Sequence, residues 1–423
     1  MTTTLAAPPQ TRQVVVRAAR NAFAGTPGRL RLAGVATVLA CLVFGLFAFV
    51  AATTRANALA NARADAAQLV RVQSIRTNLV FADANLTNAF LVGGLEPPSA
   101  RAAYEQGIAT ASKTLADAAN DSTADAKVLG NVNQVITRYT GLVESARANN
   151  RLGYPLGAAY LRQATNLLRS DALPPLAALG QTEQARVNHA YSDSAGATAW
   201  LVAGLVIALV VLLVTQVWLS VRTRRTFNPP LIIATALVLV IGIAVAGVLA
   251  WSQGKAKDTR GGAYFATLGL ATARIDAFDA KSAESLALIA RGQGQAYNAS
   301  FDNLSANVTA VLDDAARRGG ADEKAAQERF REYLAVHTRV RAADDGGHWD
   351  DAVKLATGQA NTVFQNFSDA SGTALDRRSA QLRHNLSSAR SPLPAFAWIG
   401  LIAGVAAAIA AGLGVAPRLR EYR

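Results

Sequence analysis

The sequence predicts an all-α integral membrane protein with four transmembrane helices and two extracytoplasmic antiparallel four-helix bundles. Three observations support this prediction: four long uncharged apolar stretches, short basic segments that alternate with long regions, and apolar residues at helical spacing in both long regions. Of the 423 residues 51% are hydrophobic, and the apolar ones are concentrated in the four stretches. This average apolarity is too high for a large soluble enzyme, whereas the residues outside the four stretches have the composition of water-exposed helix.

The first apolar stretch, residues 32–52, reads LAGVATVLACLVFGLFAFVAA and contains no charge, proline or amide. A helix of this length covers about 30 Å, the thickness of the hydrocarbon core of a bilayer. Cys41 ends a short box that resembles a lipoprotein cleavage site, but eleven more apolar residues follow it, which favours an uncleaved anchor. Stretches of the same kind recur at residues 199–219, 231–251 and 395–415.

The short segments between and beyond the spans are basic. Residues 1–31 carry five arginines and no acid, residues 220–230 carry three arginines, and residues 416–423 carry three arginines and one glutamate. Basic short segments mark the cytoplasmic face of a membrane protein. We therefore expect a multi-pass protein of the plasma membrane with both termini in the cytoplasm. This distribution accounts for most of the net charge of +13 without a nucleic-acid partner.

Tryptophans support the same topology. Trp200, Trp251 and Trp398 stand at the outer ends of spans two, three and four, and Trp218 stands at the inner end of span two. Tryptophan is enriched at both membrane–water interfaces, so these positions are typical of an aromatic belt.

The first long region reads as a bundle of helices. No proline or glycine occurs from Thr53 to Phe90, so the helix of the first span is expected to continue out of the membrane. Apolar residues then recur at steps of three and four over residues 104–118 and 128–146, which is coiled-coil spacing. Pro174-Pro175 is expected to kink or split the returning helix.

The second long region repeats this plan. Gly292, Gly319-Gly320 and Gly346-Gly347 separate its helices, and Pro392 and Pro394 interrupt the last one before the fourth span. The two halves align with offsets of 193 to 195 residues, which predicts a tandem duplication. The matched pairs are Asp83 with Asp276, Tyr104 with Tyr297, Tyr139 with Tyr333, Tyr154 with Trp349, and Asn166 with Asn361.

The pattern divides the chain into nine segments. The expected order is a basic arm (1–31), span one (32–52), bundle one (53–198), span two (199–219), a cytoplasmic connector (220–230), span three (231–251), bundle two (252–394), span four (395–415) and a cytoplasmic tail (416–423).

No catalytic, metal or cofactor site is expected. The four histidines are scattered, and His337 occupies a seam position that suits a packed core histidine. The run GGHWDD at residues 346–351 allows a cation site, but a turn before a helix N-terminus explains it as well. The spans contain no Asp, Glu, Lys, Arg or His, which disfavours a transporter.

The duplicated polar residues are the best candidates for ligand contact. They lie beside the apolar seams, and an arginine stands two turns before the first aspartate. The alternative for each is a solvated helix surface. The candidates are Arg76, Asp83, Asn166, Asp276 and Asn361. The candidates for contact with lipid or a cytoplasmic partner are Arg222, Arg224, Arg225, Arg418, Arg420 and Tyr422.

The fourth span carries a stripe of small residues. Gly400, Gly404, Ala408 and Gly412 share one face of the helix, and such stripes permit close helix packing. The stripe fits either a contact inside the chain or the seam of a homodimer.

The overall plan resembles bacterial receptors with four-helix sensor domains and, at finer grain, the actinobacterial GlnX-type membrane proteins. The likeness rests on the four spans, the two outer helical regions, the basic connector and the ending RLREYR at residues 418–423. It implies a non-enzymatic relay between a periplasmic amino-acid-binding lipoprotein, this chain and a cytoplasmic Ser/Thr kinase. An envelope scaffold and an accessory subunit of a transporter remain open as alternatives.

Overall fold

A computed structural model of the protein describes residues 26–92, 95–152, 154, 156–223 and 228–420. Within these ranges the chain is helical and contains no strand, as the sequence predicts. The helices are α1 (Thr26–Val92), α2 (Pro98–Asp121), α3 (Ala126–Arg151), α4 (Leu156–Leu167), α5 (Leu173–Thr223), α6 (Pro229–Thr259), α7 (Phe265–Ile289), α8 (Gln295–Arg318), α9 (Ala321–Asp345), α10 (Trp349–Thr357), α11 (Gln359–Arg390) and α12 (Leu393–Arg420).

Two wide helical turns join neighbouring helices without ending them. A π-helical segment, Leu168–Ala172, connects α4 to α5 directly before Pro174-Pro175. Proline lacks an N–H group and its ring clashes with the carbonyl four residues earlier, so a wider turn at this point relieves both problems. A second π segment, Arg260–Tyr264, contains two glycines and joins α6 to α7. The predicted disturbance at Pro174-Pro175 therefore takes the form of a bulge.

One compact unit consists of the described residues within 1–60, 190–255 and 388–423. It holds the four apolar stretches, each within a helix long and apolar enough to cross a membrane. Many large apolar side chains of these stretches point away from the unit, among them Val35, Val206 and Ile409. Trp200 and Trp398 are 52% and 58% exposed, and their rings contact Phe47 and Phe49 edge-on. These features fit a multi-pass membrane protein.

The small-residue stripe of α12 packs against the first span. A Cβ atom added at Gly404 would lie 2.5 Å from the Cα of Gly45, and one added at Gly400 would lie 2.8 Å from the Cβ of Ala48. Real Cβ atoms do not approach that closely, so the two backbones need glycine at this crossing. The stripe is therefore used for a contact inside the chain. A homodimer, which stays a prediction, would have to use another face.

The second compact unit consists of Asn61–His189 and Ala256–Ser387 and contains two hydrophobic cores. The first core is enclosed by the C-terminal part of α1 together with α2, α3, α4 and the start of α5. The second core is enclosed by α7 to α11. Tyr139 and Tyr333, at matched seam positions, are fully buried in the first and second core respectively. The duplication and the extracytoplasmic placement stay predictions.

Helix α1 contributes to both cores. Its residues Ile75 and Leu79 are buried in the first core, whereas Val80 and Ala84 are buried in the second. The expected continuation of the first span is confirmed, because α1 is one helix over 67 residues. The expected interruption before the fourth span is also confirmed, since α11 ends at Arg390 and α12 begins at Leu393.

Replacing Gly404 with alanine should destabilise the spans, because the new methyl group meets the backbone of Gly45. Overpacking of this kind costs about 1–3 kcal/mol. The matched control is Gly247→Ala in α6, where a Cβ meets nothing within 4 Å. The measurement is thermal unfolding of the two variants in detergent. Equal melting temperatures would contradict the close crossing.

Candidate functional site

Helices α1 and α7 contact each other within the second unit. The rings of Phe81 and Phe278 meet edge to face with centroids 5.3 Å apart. Every residue of α7 from Ala280 to Leu288 is buried, including the polar ones. A helix buried all round must satisfy its polar groups internally, since unpaired buried polar groups are costly. A displacement of α1 or α7 at this contact would therefore move side chains of both cores.

Asp83 of α1 lies at this contact and is 2% exposed. Its Oδ1 accepts hydrogen bonds from the hydroxyls of Tyr139 on α3 (3.2 Å) and Thr165 on α4 (2.8 Å). Its Oδ2 accepts one from the hydroxyl of Ser282 on α7 (2.9 Å). One carboxyl group thus ties three helices of the first core to the central helix of the second.

The surroundings of Asp83 favour its neutral form. Burial raises its pKa, and the nearby Arg169 and the bonds from Thr165 and Ser282 offset this only in part. The Arg169 guanidinium is itself paired with Asp279 of α7 at 2.6 Å, so two polar links join the cores. Burial, and after it Asp83, also raises the pKa of Tyr139, which keeps that hydroxyl a donor.

The remaining ligand candidates lie in different surroundings. Burial lowers the pKa of Arg76 and raises the pKa of Asp276. The charge of each group partly offsets the shift of the other, so the two groups interact electrostatically across the α1–α7 contact. Asp276 also accepts a hydrogen bond from Asn307. Asn166 is exposed on α4, and Asn361 is half-buried on α11. Their roles in ligand binding stay predictions.

The candidates for contact with lipid or a cytoplasmic partner cannot be placed. Arg224, Arg225 and Tyr422 lie outside the described residues, as do the side chains of Arg222, Arg418 and Arg420.

A second buried polar cluster lies in the core formed by α7 to α11. Lys281 donates hydrogen bonds to Glu284 (2.6 Å) and to the carbonyl of Ala356 (3.1 Å), and Glu284 also contacts Nδ1 of His337. The His337 ring stacks on Phe301 at 3.5 Å, which confirms the expected packed core histidine. Burial raises the pKa of Glu284, but Lys281 and His337 outweigh it and lower the pKa to about 2.

A cavity of about 460 Å³ lies between α1, α7 and α11. Pockets of about 300–1,000 Å³ are the usual size for small-molecule sites. Its wall combines apolar side chains with amides, hydroxyls, one guanidinium and two carboxylates. The lining residues used below are Leu69, Gln73, Ser74, Thr77, Asn78, Phe81, Tyr264, Leu268, Arg274, Asp369, Gly372, Leu375 and Asp376.

Arg274 is the cation of this cavity. Its Nη1 donates hydrogen bonds to the carbonyl of Ser368 and to the hydroxyl of Ser371 (2.6 Å). Burial lowers the pKa of Arg274 to about 10, and the more distant Asp376 and Asp369 offset that effect in part. Gly372 makes room for the guanidinium, because a Cβ at that position would lie 3.2 Å from Nη1.

The sequence pattern does not predict this cavity, although α1 carries a signal for it. Gln73, Ser74, Thr77 and Asn78 are spaced by one, three and four residues, which places four uncharged polar side chains on one flank of the helix. The partner surface on α7 and α11 comes from residues almost 200 to 300 positions away, and no local pattern links them.

The described part of the chain contains no group of three or more His, Cys, Asp or Glu side chains arranged to hold a metal ion. In the run 346–351, α10 begins at Trp349 with Asp350 and Asp351 in its first turn, as expected for a turn before a helix.

Comparison with known proteins gives one match. Residues 58–192 match the family described as the actinobacterial sensor domain, which covers about a third of the chain. No curated protein and no solved structure matches the chain. The matched stretch holds the outer part of α1, all of α2 to α4 and the first part of α5, and it includes Asp83, Tyr139 and Thr165. The match supports a sensor role.

Asp83→Leu should destabilise the second unit strongly, because it leaves the hydroxyls of Tyr139, Thr165 and Ser282 without this acceptor. Each such loss costs about 1–3 kcal/mol. Asp83→Asn should cost much less, since it keeps one accepting oxygen and removes the penalty for ionisation that grows as the pH rises above the unfolded pKa. Unfolding in denaturant at pH 7 measures both, with the exposed Asp117→Leu as control. Equal losses for Asp83→Leu and Asp117→Leu would refute the link.

Glu284→Gln should cost about 3–5 kcal/mol near pH 6, because it leaves Lys281 as a buried cation without its carboxylate. The lowered pKa of Glu284 means that the wild-type carboxylate stabilises the fold above about pH 4.5, the ordinary glutamate value, and that this contribution fades as the pH falls toward 2. The gap between variant and wild type should therefore narrow in acid. Thermal unfolding from pH 6 to pH 3 measures it, with the exposed Glu105→Gln as control. A gap independent of pH would contradict the pairing.

Proposed function

We propose that the protein is a non-enzymatic transmembrane sensor that relays an extracytoplasmic amino-acid signal to a cytoplasmic partner. The observation that carries the proposal is the sensor-domain match at residues 58–192, which includes the outer part of the same helix that forms the first apolar stretch. In this proposal the two helical cores are extracytoplasmic bundles, and the protein lies in the plasma membrane with both termini in the cytoplasm.

The helices offer a physical route for such a relay. A ligand shifts an equilibrium only if it binds one conformation better than the other. Helix α1 lines the cavity with Phe81, carries Asp83 and continues to residue 32 without a loop. The second route is α5, which runs from Leu173 to Thr223 without a break. The third is α6, its π segment and α7, which are also continuous. The fourth connection is interrupted between Arg390 and Leu393, so we assign the fourth span the role of an anchor.

The partners follow from the resemblance and from the charge distribution. Outside the cell, the signal reaches the bundles directly or through a periplasmic amino-acid-binding lipoprotein. Inside, the output goes to a Ser/Thr kinase. The basic arm, connector and tail contact anionic lipid headgroups, which attract clustered arginines. No part of the proposal requires a cofactor or a nucleic acid.

The relay proposal predicts different effects of two changes in helix continuity. Ala64→Pro places a proline at an exposed position inside α1 and should abolish the response, because proline breaks an interior helix. The double variant Pro392→Ala, Pro394→Ala should leave the response largely intact. The readout is protein phosphorylation in cells moved from amino-acid-poor to amino-acid-rich medium, with Ala64→Ser as the matched control.

Cross-linking in live cells, followed by identification of partners on both faces, tests the function itself. Recovery of a kinase inside and a binding protein outside is the expected result. Recovery of a permease alone would overturn the sensor proposal in favour of a transporter subunit. Recovery of envelope proteins alone would overturn it in favour of a scaffold.

A further inference from the structure

We propose that the cavity between α1, α7 and α11 is a binding site for a small zwitterion, the chemical class of free amino acids. In this site Arg274 binds the carboxylate of the ligand, and Asp369 and Asp376 face its ammonium group. The hydroxyl of Tyr264 donates a hydrogen bond to a further acceptor of the bound ligand. The inference rests on the proposed sensor function and deepens it, because it makes detection of the ligand direct.

The guanidinium of Arg274 has no ion-pair partner among the described residues. None of the carboxylates in the described ranges lies within 4 Å of its guanidinium, and its hydrogen bonds to described residues all come from Nη1. Buried charges are normally paired with an opposite charge, because desolvation without a partner is costly. Nε and Nη2 remain as donors for a planar carboxylate, the group that guanidinium recognises best.

The hydroxyl of Tyr264 is a second candidate donor to a ligand in the cavity. The side chain is 2% exposed and lines the cavity, yet its oxygen has no hydrogen-bond partner among the described residues. Burial raises the pKa of Tyr264 to about 12, so the hydroxyl keeps its proton and acts as a donor. A buried hydroxyl without a partner costs free energy, and an acceptor placed in the cavity would remove that cost.

The charged side chains that line the cavity are of both signs. Asp369 and Asp376 line the same cavity and are exposed to solvent, whereas Arg274 is half-buried. A simple anion would meet Arg274 but also two carboxylates, and a simple cation would meet the carboxylates but also Arg274. A zwitterion satisfies both signs at once. Leu69, Phe81, Leu268 and Leu375 provide apolar surface for a side chain.

The position of the cavity connects binding to the rest of the unit. Four polar residues of α1, Gln73, Ser74, Thr77 and Asn78, line it one to three turns before Asp83. Phe81 lines it as well and packs on Phe278 of the central helix. A ligand in the cavity would therefore touch α1, α7 and α11 together, and it would favour the conformation in which they are closest.

The test uses the full-length protein in detergent and the twenty standard amino acids, added singly at 1 mM, roughly the range of a weak small-molecule complex. Thermal unfolding identifies any amino acid that raises the melting temperature, and titration calorimetry gives its Kd. The same measurements follow for its deaminated carboxylic acid and its decarboxylated amine. We expect the amino acid to bind about tenfold tighter than either analogue. Absence of any stabilising amino acid, or equal binding of the deaminated acid, overturns the proposal.

Two variants locate the site. Tyr264→Phe removes a hydroxyl that has no partner in the described residues, so the unliganded protein should unfold at an unchanged or higher temperature while Kd rises about tenfold. Arg274→Gln should abolish binding, and the exposed Arg377→Gln on α11 serves as the matched control. If Arg274→Gln fails to fold, Tyr264→Phe decides alone. Unchanged binding by Tyr264→Phe overturns the assignment.

The outcomes separate this inference from the proposed function. If no amino acid binds the purified chain but cells still respond through it, the cavity is not the site and the sensor proposal stands. If an amino acid binds in the cavity but Tyr264→Phe leaves the cellular response at every concentration unchanged, the site stands and the relay proposal fails.

Discussion

The second unit depends on the burial of a carboxyl group where two hydrophobic cores meet. Asp83 accepts hydroxyl bonds from α3, α4 and α7, so the position of α1 is fixed by groups from both cores. A buried polar group destabilises the fold when it lacks a hydrogen-bond partner, and it allows only the helix arrangement that supplies one. Such a group therefore specifies how helices pack more strictly than apolar contacts do. The contact of Phe81 with Phe278 supplies the apolar part of the same junction.

The buried carboxyl groups of the two cores are stabilised by different kinds of partner. In the first core, Asp83 is satisfied by neutral hydroxyls and its surroundings raise its pKa. In the second core, Glu284 is satisfied by Lys281 and His337, which lower its pKa despite the burial that opposes them. The two carboxyls therefore respond to pH in opposite directions, because one is surrounded by dipoles and the other by a cation.

The lining of the cavity is partly polar because the cavity lies outside both cores. Its walls come from the flanks of α1, α7 and α11, where polar and apolar residues alternate along each helix. Tyr264 is buried and Arg274 half-buried there, without the full set of partners that Asp83 and Glu284 have. That difference distinguishes a group that holds the fold together from a group available to a ligand, and it is visible only in the contacts.

The sequence by itself determined the helical class, the four apolar helices, the unbroken α1 and the break after Arg390, because helical periodicity, glycine and proline act over a few residues. It also marked Asp83 and His337 as special positions. Only the tertiary structure decided that Asp83 is an internal link, that Gly404 packs on Gly45, and that Arg274 shares a cavity with residues of α1. These facts join residues about 200 to 360 positions apart, and local propensity carries no information about which distant surfaces meet.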